Sequence, residues 1–301
     1  MLPGQHPGVN SFGAPGKTGP VASDRVPSDV VDAHVHLLPP RLQAAIRGFF
    51  DSHGIDTGRF AYPADHGEVC ERLAAEGVSE VWSLPYARRP GSAADLNQAM
   101  ASLAAAQRAG PVRVIGGCTV HPGDDQPLTV LRSAVEDMGL RVLKLHCSVG
   151  DFSPDDPRLD PVWGYAAEVA LPVVLHAGHA ADGQTDGAEL EPVAAVARRH
   201  PGARVIIAHC GYPASEAALR LVTGHENVYA DLTPVLYQPV QPAAARLTEL
   251  SGKVLFGSDA PNTGLTVTQL LDGLPGAELP PAAWTALTGG TARRLVGEVR
   301  V

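Results

Sequence analysis

The sequence predicts an α/β protein that folds as a (β/α)8 TIM barrel, on three observations. Short apolar runs rich in Val, Ile and Leu recur along the chain, as in strands buried on both faces of a parallel sheet. Segments rich in Ala, Leu, Glu and Arg alternate with these runs, which indicates βαβ units. Polar residues recur where the runs end, and a barrel of this type collects its chemistry at the carboxyl ends of its strands.

Strand and helix segments can be counted in order along the chain. The strand-like segments lie at residues 30–36, 78–84, 112–118, 141–146, 172–176, 204–209, 227–231 and 253–259. Among the predicted helices are residues 68–76, 93–108, 128–138, 190–200 and 215–222. Eight βα repeats in roughly 270 residues match the usual size of a closed barrel, about 250 residues. A doubly wound open sheet is disfavoured, because no Gly-x-Gly-x-x-Gly turn follows the first strand and no Gly-rich loop ends in Lys-Ser or Lys-Thr.

Composition predicts one folded domain, residues 28–301, preceded by a leader at residues 1–27. The leader is rich in Gly, Pro and Ser and lacks the apolar centre of a secretory signal, so we expect it to be disordered. The net charge of −9 gives no electrostatic footprint for nucleic acid. No apolar run reaches the roughly 18 residues that a membrane span needs. The expected partner is a small-molecule substrate, and homo-oligomerisation is left open.

The four cysteines favour a cytoplasmic location. They are dispersed without Cys-x-x-Cys spacing, which is typical of reduced thiols. Cys147 and Cys210 directly follow His146 and His209, two candidate site residues, so a catalytic thiol is one interpretation. We favour the other interpretation, that each is a small buried residue facing the helices, because neighbours in a strand point to opposite faces.

The first strand, Val-Val-Asp-Ala-His-Val-His at residues 30–36, carries two histidines separated by one residue. Because strand side chains alternate with period two, we expect Asp32, His34 and His36 on one face and the intervening Ala33 and Val35 on the other. Two imidazoles on one face can chelate a divalent transition metal. For this pair alone, a strand end that happens to be rich in histidine is an equally good interpretation.

Other predicted strands also end in residues that bind metals or transfer protons. His176 ends the fifth strand, His209 the sixth and Asp259 the eighth, while Lys144 and His146 lie two apart, hence on one face, of the fourth. The carboxyl ends of the strands of a barrel meet at one rim. We therefore expect these side chains to lie close to the histidines of the first strand.

These motifs together resemble the amidohydrolase superfamily, over about residues 29–297. The resemblance rests on Asp-x-His-x-His in the first strand, on His176 and His209, on Gly-Ser-Asp at residues 257–259, and on residues 288–295 near the C-terminus. The branch that it resembles is the amidohydrolase-related group, which also contains aminocarboxymuconate-semialdehyde decarboxylase. Each motif alone is weak, but their order and strand-sized spacing are specific.

The resemblance implies a divalent-metal site whose ligands are His34, His36, His176 and Asp259. Such a site keeps an open position for water or substrate. Asp259 would also carry the proton of the attacking water, and His209 would act as an acid, a base or an oxyanion stabiliser. One ion is favoured, with zinc preferred and manganese, iron or cobalt as alternatives. Two ions would require carboxylation of Lys144, with His146 as a further ligand or a substrate contact.

Polar residues just beyond the strands are weaker candidates for substrate binding, namely Arg88, Arg89, His121 and His179. Solvent-facing loop positions are the alternative for each of them. The expected function is metal-dependent hydrolysis of an amide, lactone or similar carbonyl bond of a small molecule through a metal-activated water. The alternative is a metal-dependent decarboxylase, a lyase of unsaturated or aromatic carboxylic acids. A barrel that only binds ligand is disfavoured, because the metal set is complete.

Overall fold

A computed structural model describes residues 29–177, 190–276 and 278–301, and its strands form one parallel sheet in sequence order. The strands are β1 Val30–Val35, β2 Val78–Ser83, β3 Arg113–Cys118, β4 Val142–His146, β5 Pro172–His176, β6 Arg204–Ile207, β7 Val228–Asp231 and β8 Val254–Leu255. The backbone N–H of Ala33 donates to the carbonyl of Phe256 at 3.0 Å, and that of Asp259 donates to the carbonyl of His34 at 2.9 Å. These bonds join the chain of β8 to β1, so the predicted TIM barrel is confirmed.

Helices follow the strands and cover the outside of the barrel. Those in the described residues are α1 Pro40–Ser52, α2 His66–Ala75, α3 Ala93–Ala106, α4 Pro127–Arg132, α5 Cys147–Gly150, α6 Asp160–Glu168, α7 Glu191–Arg199, α8 Ser215–Gly224, α9 Ala244–Glu249, α10 Val267–Gly273, α11 Pro281–Thr285 and α12 Thr291–Gly297. A π-helical turn, Ser133–Asp137, extends α4 and completes the helix predicted at residues 128–138. No helix in the described ranges is long and apolar enough to cross a membrane.

The apolar residues divide into two cores because successive strand residues face opposite sides of the sheet. The outer core joins the strands to the helices and contains residues such as Leu143 of β4 and Leu73 of α2. The inner core holds side chains from every strand, such as Val142 of β4, and Leu295 of α12 packs against it. Helix α12 therefore closes the inside of the barrel at the end opposite the carboxyl ends of the strands.

Strand β1 departs from the predicted alternation. Ala33 packs in the inner core, whereas Val35 packs in the outer core, so the prediction that they share a face was wrong. The reason is a register shift between Asp32 and Val35, where β1 contains one more residue than the paired segment of β2. A bulge of this kind bends a strand and re-aims its side chains, and bulges are frequent beside active sites.

Strands β6 and β8 are shorter than predicted, ending at Ile207 and Leu255 rather than at residues 209 and 259. Beyond these points the backbone turns, and both His209 and Asp259 have positive φ, at 53° and 65°. Residues with positive φ cannot continue a strand. The two polar residues therefore lie on turns just above the sheet.

The cysteines lie where the sequence places them. All four are free and buried, and Cys147 and Cys210 pack in the outer core against the helices, as predicted. The predicted leader at residues 1–27 and the candidate His179 lie outside the described residues.

Candidate metal centre

Three side chains at the carboxyl ends of the strands converge on one point. His34, His36 and Asp259 each place one ligand atom so that all three atoms lie within 4.8 Å of one another. The His36 Nε2 lies 3.1 Å from Asp259 Oδ1, and the His34 Nε2 lies 3.9 Å from the same oxygen. Both imidazoles are buried, and Asp259 is the most open of the three. The predicted grouping of strand 1 with the end of strand 8 is therefore present.

Hydrogen bonds on the other ring nitrogen orient both histidines. The Nδ1 of His36 donates to the carbonyl of Leu84 at 2.6 Å, and the Nδ1 of His34 lies 2.9 Å from Asp231 Oδ2. A carbonyl or an ionised carboxylate can only accept a hydrogen bond, so each Nδ1 must carry the proton. The lone pair of each ring is then on Nε2, the atom that faces Asp259.

Asp231 contacts the site and was not singled out by sequence reasoning. It ends β7 and is fully buried. Burial acts to raise the pKa of its carboxyl group, but its close interaction with the His34 imidazole, which donates to it from Nδ1, outweighs that effect and holds the pKa well below its usual value. Its position at the end of an apolar strand is the same signal that identified Asp259, and that signal could have found it.

Asp259 stays ionised for a related reason. Burial acts to raise the pKa of this carboxyl group, but the adjacent imidazoles of His36, His209 and His34, when protonated, lower the pKa below its ordinary value. A buried carboxylate is stable only where hydrogen bonds or cations compensate for its desolvation. Asp259 is therefore available as a negatively charged oxygen donor.

Asp32 supports the same corner of the barrel. Its carboxyl group accepts hydrogen bonds from the hydroxyl of Ser258 at 2.5 Å and from the backbone N–H of Ser258 at 2.9 Å. The link joins β1 to the residue before Asp259. The first residue of the Asp-x-His-x-His motif is thus hydrogen-bonded to the middle residue of the Gly-Ser-Asp motif.

His209 lies beside the three converging residues. Its ring centroid is 5.0 Å from that of His34 and 4.8 Å from that of His176. The Nδ1 donates to the carbonyl of Pro234 at 3.1 Å, which leaves the Nε2 lone pair free of that bond. Its backbone is left-handed at φ 53° and ψ 25°, a conformation that costs a non-glycine residue on the order of 1–3 kcal/mol. Strain of this size indicates that the surroundings hold the ring in this place.

His176 is the outermost of the predicted ligands. It packs against His146 with ring centroids 4.0 Å apart and planes 13° apart, as expected for partners on neighbouring strands. It contacts the three converging residues through His209 and is not within the 4.8 Å group. Burial is the largest cause of the low pKa of both His146 and His176, followed by neighbouring cationic groups. Neutral imidazoles of this kind are the form that binds metals.

Lys144 lies beneath the histidines and is completely buried. Its Nζ is 3.1 Å from the Nε2 of His34, so it reaches the atom that faces Asp259. Burial lowers its pKa to about 8, although the carboxylates of Asp231 and Asp259 act in the opposite direction. The same lysine charge, after burial, helps to lower the pKa of His34 to about 3.

The predicted substrate residues have different surroundings. Both ring nitrogens of His121 are used by backbone groups: Nε2 lies 2.9 Å from the carbonyl of Gly150, and Nδ1 accepts from the N–H of Gly123 at 2.9 Å. His121 thus joins the loop after β3 to the end of α5. Arg88 and Arg89 are exposed, next to a groove of about 490 Å³ that none of the histidines lines.

Tyr86 is a second residue that the sequence did not single out. Its ring packs edge-on against that of His36, with centroids 5.5 Å apart, and lies tilted against that of His146, with centroids 4.9 Å apart. Burial and the charge of Asp259 raise the pKa of its phenol, so the hydroxyl stays protonated and can donate a hydrogen bond. It lies in a loop three residues beyond β2, where the sequence pattern has no distinguishing feature.

The donor set fits a divalent transition metal. Two imidazoles present Nε2 lone pairs, each oriented by a partner on Nδ1, and a carboxylate faces them. Nitrogen and oxygen donors in this combination suit zinc, and imidazole with carboxylate also accepts other first-row divalent ions. Second hydrogen bonds on the ligating histidines are typical of metal sites in proteins.

Comparison with solved structures agrees with the fold. An uncharacterised TIM-barrel protein from Bordetella bronchiseptica is 18% identical with a TM-score of 0.69, covering 90% of this chain and 99% of its own. A 5-carboxyvanillate decarboxylase from Novosphingobium aromaticivorans, complexed with manganese, is 16% identical with a TM-score of 0.59, covering 89% and 95%. A dihydroorotase from Campylobacter jejuni is 14% identical with a TM-score of 0.58, covering 89% and 82%. At these identities the likeness shows the fold.

Sequence comparison assigns the family. No curated protein matches the chain. The sequence model of the family described as Amidohydrolase matches residues 31–297, which include His34, His36 and Asp259 and nearly all of the barrel. The match extends from the first strand to the last helix, over the same part of the chain that holds the converging side chains. The chain belongs to the amidohydrolase family.

Proposed function

We propose that this protein is a metal-dependent hydrolase that cleaves an amide, lactone or similar carbonyl bond of a small molecule. The observation that carries the proposal is the convergence of His34, His36 and Asp259 within 4.8 Å, with the tautomer of both imidazoles fixed by a partner on Nδ1. The side chains meet at the rim of the barrel where enzymes of this fold bind substrate. Lewis-acid assistance to hydrolysis is the chemistry that such a donor set supports.

We propose that His34, His36 and Asp259 hold one divalent ion, zinc being favoured and manganese, iron or cobalt being alternatives. His176 would complete the set from β5. When bound, the ion supplies Lewis acidity, which polarises a carbonyl group and makes water a stronger acid. A second ion would need a carboxylated Lys144 together with His176 and His209. Lys144 lies 3.1 Å from His34 Nε2, close enough for such an arrangement.

Two residues of this chain would then carry out proton transfer and stabilise the developing negative charge. Asp259 is ionised and lies at the site, so it can accept the proton of an attacking water and return it to the leaving group. His209 can donate a hydrogen bond from Nε2, when protonated there, to the oxygen on which negative charge develops. Both residues are held on left-handed turns above the sheet, which keeps them in one position relative to the substrate.

Decarboxylation of an unsaturated or aromatic carboxylic acid is the second candidate. The observation that favours it is the group of imidazoles around His209, any of which, when protonated, can deliver a proton to carbon in place of carbon dioxide. The solved structure from Novosphingobium aromaticivorans is named as a decarboxylase, and the one from Campylobacter jejuni as a dihydroorotase. Relatives of both reaction types therefore share this barrel.

The two candidates differ in what water contributes. We would supply a panel of lactones, cyclic amides and unsaturated or aromatic carboxylic acids in ¹⁸O-labelled water and measure both ¹⁸O in the product and released carbon dioxide. Hydrolysis places one labelled oxygen in the product. Carbon dioxide release without incorporation of labelled oxygen would refute the hydrolase and support the decarboxylase.

The control for this experiment is the His36→Ala protein, which removes one of the converging nitrogens. Any turnover that persists unchanged in this variant comes from a contaminating enzyme. Elemental analysis of the freshly purified protein, run in parallel, distinguishes one ion per chain from two. Two ions per chain would favour a carboxylated Lys144.

A further inference from the structure

Asp231 contacts two of the site histidines at once. Its Oδ2 lies 2.9 Å from the Nδ1 of His34, and its Oδ1 accepts the backbone N–H of His209 at 2.8 Å. The Oδ1 also lies 3.2 Å from the backbone N–H of Thr233. All of these groups are buried. Oδ2 therefore faces a residue of β1, whereas Oδ1 faces the backbone of the turn after β6 and of the segment after β7.

The contact with His209 acts on an unusual stretch of backbone. Residues 209–211 have positive φ in succession, at 53°, 49° and 64°. This turn replaces the end of β6 and brings the ring of His209 to within 5.0 Å of that of His34. The Asp231 oxygen satisfies the first N–H of the turn, a donor that would otherwise be buried without a partner.

We propose that Asp231 is a positioning residue that prepares both histidines for the site. Through Oδ2 it keeps the proton of His34 on Nδ1, so that the Nε2 lone pair faces Asp259. Through Oδ1 it holds the turn that carries His209. The carboxylate thus joins a metal ligand to the proposed acid–base residue. The proposal rests on the proposed function only in naming the metal as the species that uses this lone pair.

The Asp231→Asn protein tests the proposal with almost no change of shape. Two backbone N–H groups, of His209 and Thr233, point at the Oδ1 position, so the asparagine oxygen is expected to stay there. The asparagine NH2 then faces His34 and can only donate. His34 must then accept on Nδ1 and carry its proton on Nε2, where Lys144 Nζ, 3.1 Å away, can accept it only as the neutral amine. The variant is therefore expected to keep its fold and lose the lone pair that faces Asp259.

The first measurement is zinc affinity by competition with a chromogenic chelator. We expect a 10- to 100-fold weaker affinity in Asp231→Asn, the loss that removal of a partner of a ligating histidine typically causes. The matched control is Glu80→Gln, which makes the same change at a buried carboxylate that faces Arg113. Its zinc affinity is expected to stay within twofold of the native value. A native affinity in a folded Asp231→Asn protein would overturn the proposal.

The second measurement needs no substitution at Asp231. Two-bond ¹H–¹⁵N correlation spectra of the metal-free native protein report which ring nitrogen of each histidine carries the proton, and the His34→Gln protein assigns the signal. We expect the proton of His34 on Nδ1. A proton on Nε2 would overturn the proposal even if Asp231→Asn failed to fold. Both measurements are independent of turnover, so absence of hydrolysis or decarboxylation would refute the proposed function and leave this proposal standing.

Discussion

At the scale of the residue, the chemistry depends on which atom of each side chain is already occupied. His36 and His209 each donate from Nδ1 to a backbone carbonyl, of Leu84 and Pro234. A carbonyl accepts at every pH, so these rings keep the same orientation and tautomer while they are neutral. Only their Nε2 atoms remain for ligand chemistry. The rings therefore act through one nitrogen each, although imidazole has two.

His209→Asn is expected to retain the metal and to lower turnover by about 10²–10⁴, the loss typical of an acid–base or oxyanion contact. Asparagine is chosen because it tolerates the left-handed backbone that His209 adopts better than most residues do. Metal content and kcat would be measured together. The control is His53→Asn, a change at an exposed histidine at the end of α1. Unchanged kcat in His209→Asn would remove this residue from the mechanism.

The buried thiols supply a prediction that depends on pH. Burial raises the pKa of Cys70 to about 11 and that of Cys118, Cys147 and Cys210 to about 12, from 9.0. The thiolate is the reactive form, so little of it exists at pH 8 in the folded protein. A chromogenic thiol reagent is expected to label none of the four quickly at pH 8, and all four in guanidinium chloride.

Ser102→Cys is the positive control for the thiol experiment, because residue 102 is exposed on α3.

The raised pKa values of the thiols also make the stability of the folded protein depend on pH. The unfolded thiols ionise near 9.0 and the folded ones later, so the stabilisation is complete below pH 9 and is lost as the pH rises toward 12. Rapid labelling of a native cysteine at pH 8 would contradict the burial.

At the scale of the element, the regular parts of the chain were predictable and the ends of strands were not. The apolar runs predicted all of the strands because a strand buried on both faces leaves a continuous apolar stretch in the sequence. The bulge in β1 and the turn at His209 depend on partners far along the chain, such as Asp231, 22 residues from His209. A local pattern contains no information on such contacts. The site residues at strand ends were therefore identified, while the way they are held was not.

Helix α10 begins with a capping box that supports a prediction at this scale. The Thr266 side chain accepts the N–H of Gln269 at 3.1 Å, and the Gln269 side chain accepts the N–H of Thr266 at 2.9 Å. Thr266→Ala is expected to lower the free energy of unfolding by about 0.5–2 kcal/mol. Urea denaturation would measure it. Thr248→Ala, at an exposed position within α9, is the control and is expected to change stability by less than about 0.5 kcal/mol.

At the scale of the whole molecule, the barrel brings together residues that are remote in sequence. His34 and Asp231 are 197 positions apart, and Asp32 and Ser258 are 226 apart. The closing bonds between β1 and the chain of β8 bring the two ends of the fold to the same corner as the converging ligands. Metal binding and barrel closure should therefore be linked.

Zinc is expected to stabilise the native protein against urea. A ligand present at 100 times its Kd raises the free energy of unfolding by about 2.7 kcal/mol when only the folded state binds it. His36→Ala removes one converging nitrogen, so zinc should not raise its stability, whereas His53→Ala should respond as the native protein does. Equal stabilisation of all three proteins would place the zinc somewhere other than the proposed site.

The inner core and helix α12 fill the inside of the described barrel below the histidines, which leaves no passage through its closed end. A substrate that reaches the histidines must arrive past the rim loops, and its product must leave by the same route. The product therefore has to leave before the next substrate can bind. Product inhibition that competes with substrate follows from this layout, and a variant with a faster chemical step would gain little if departure became the slow event.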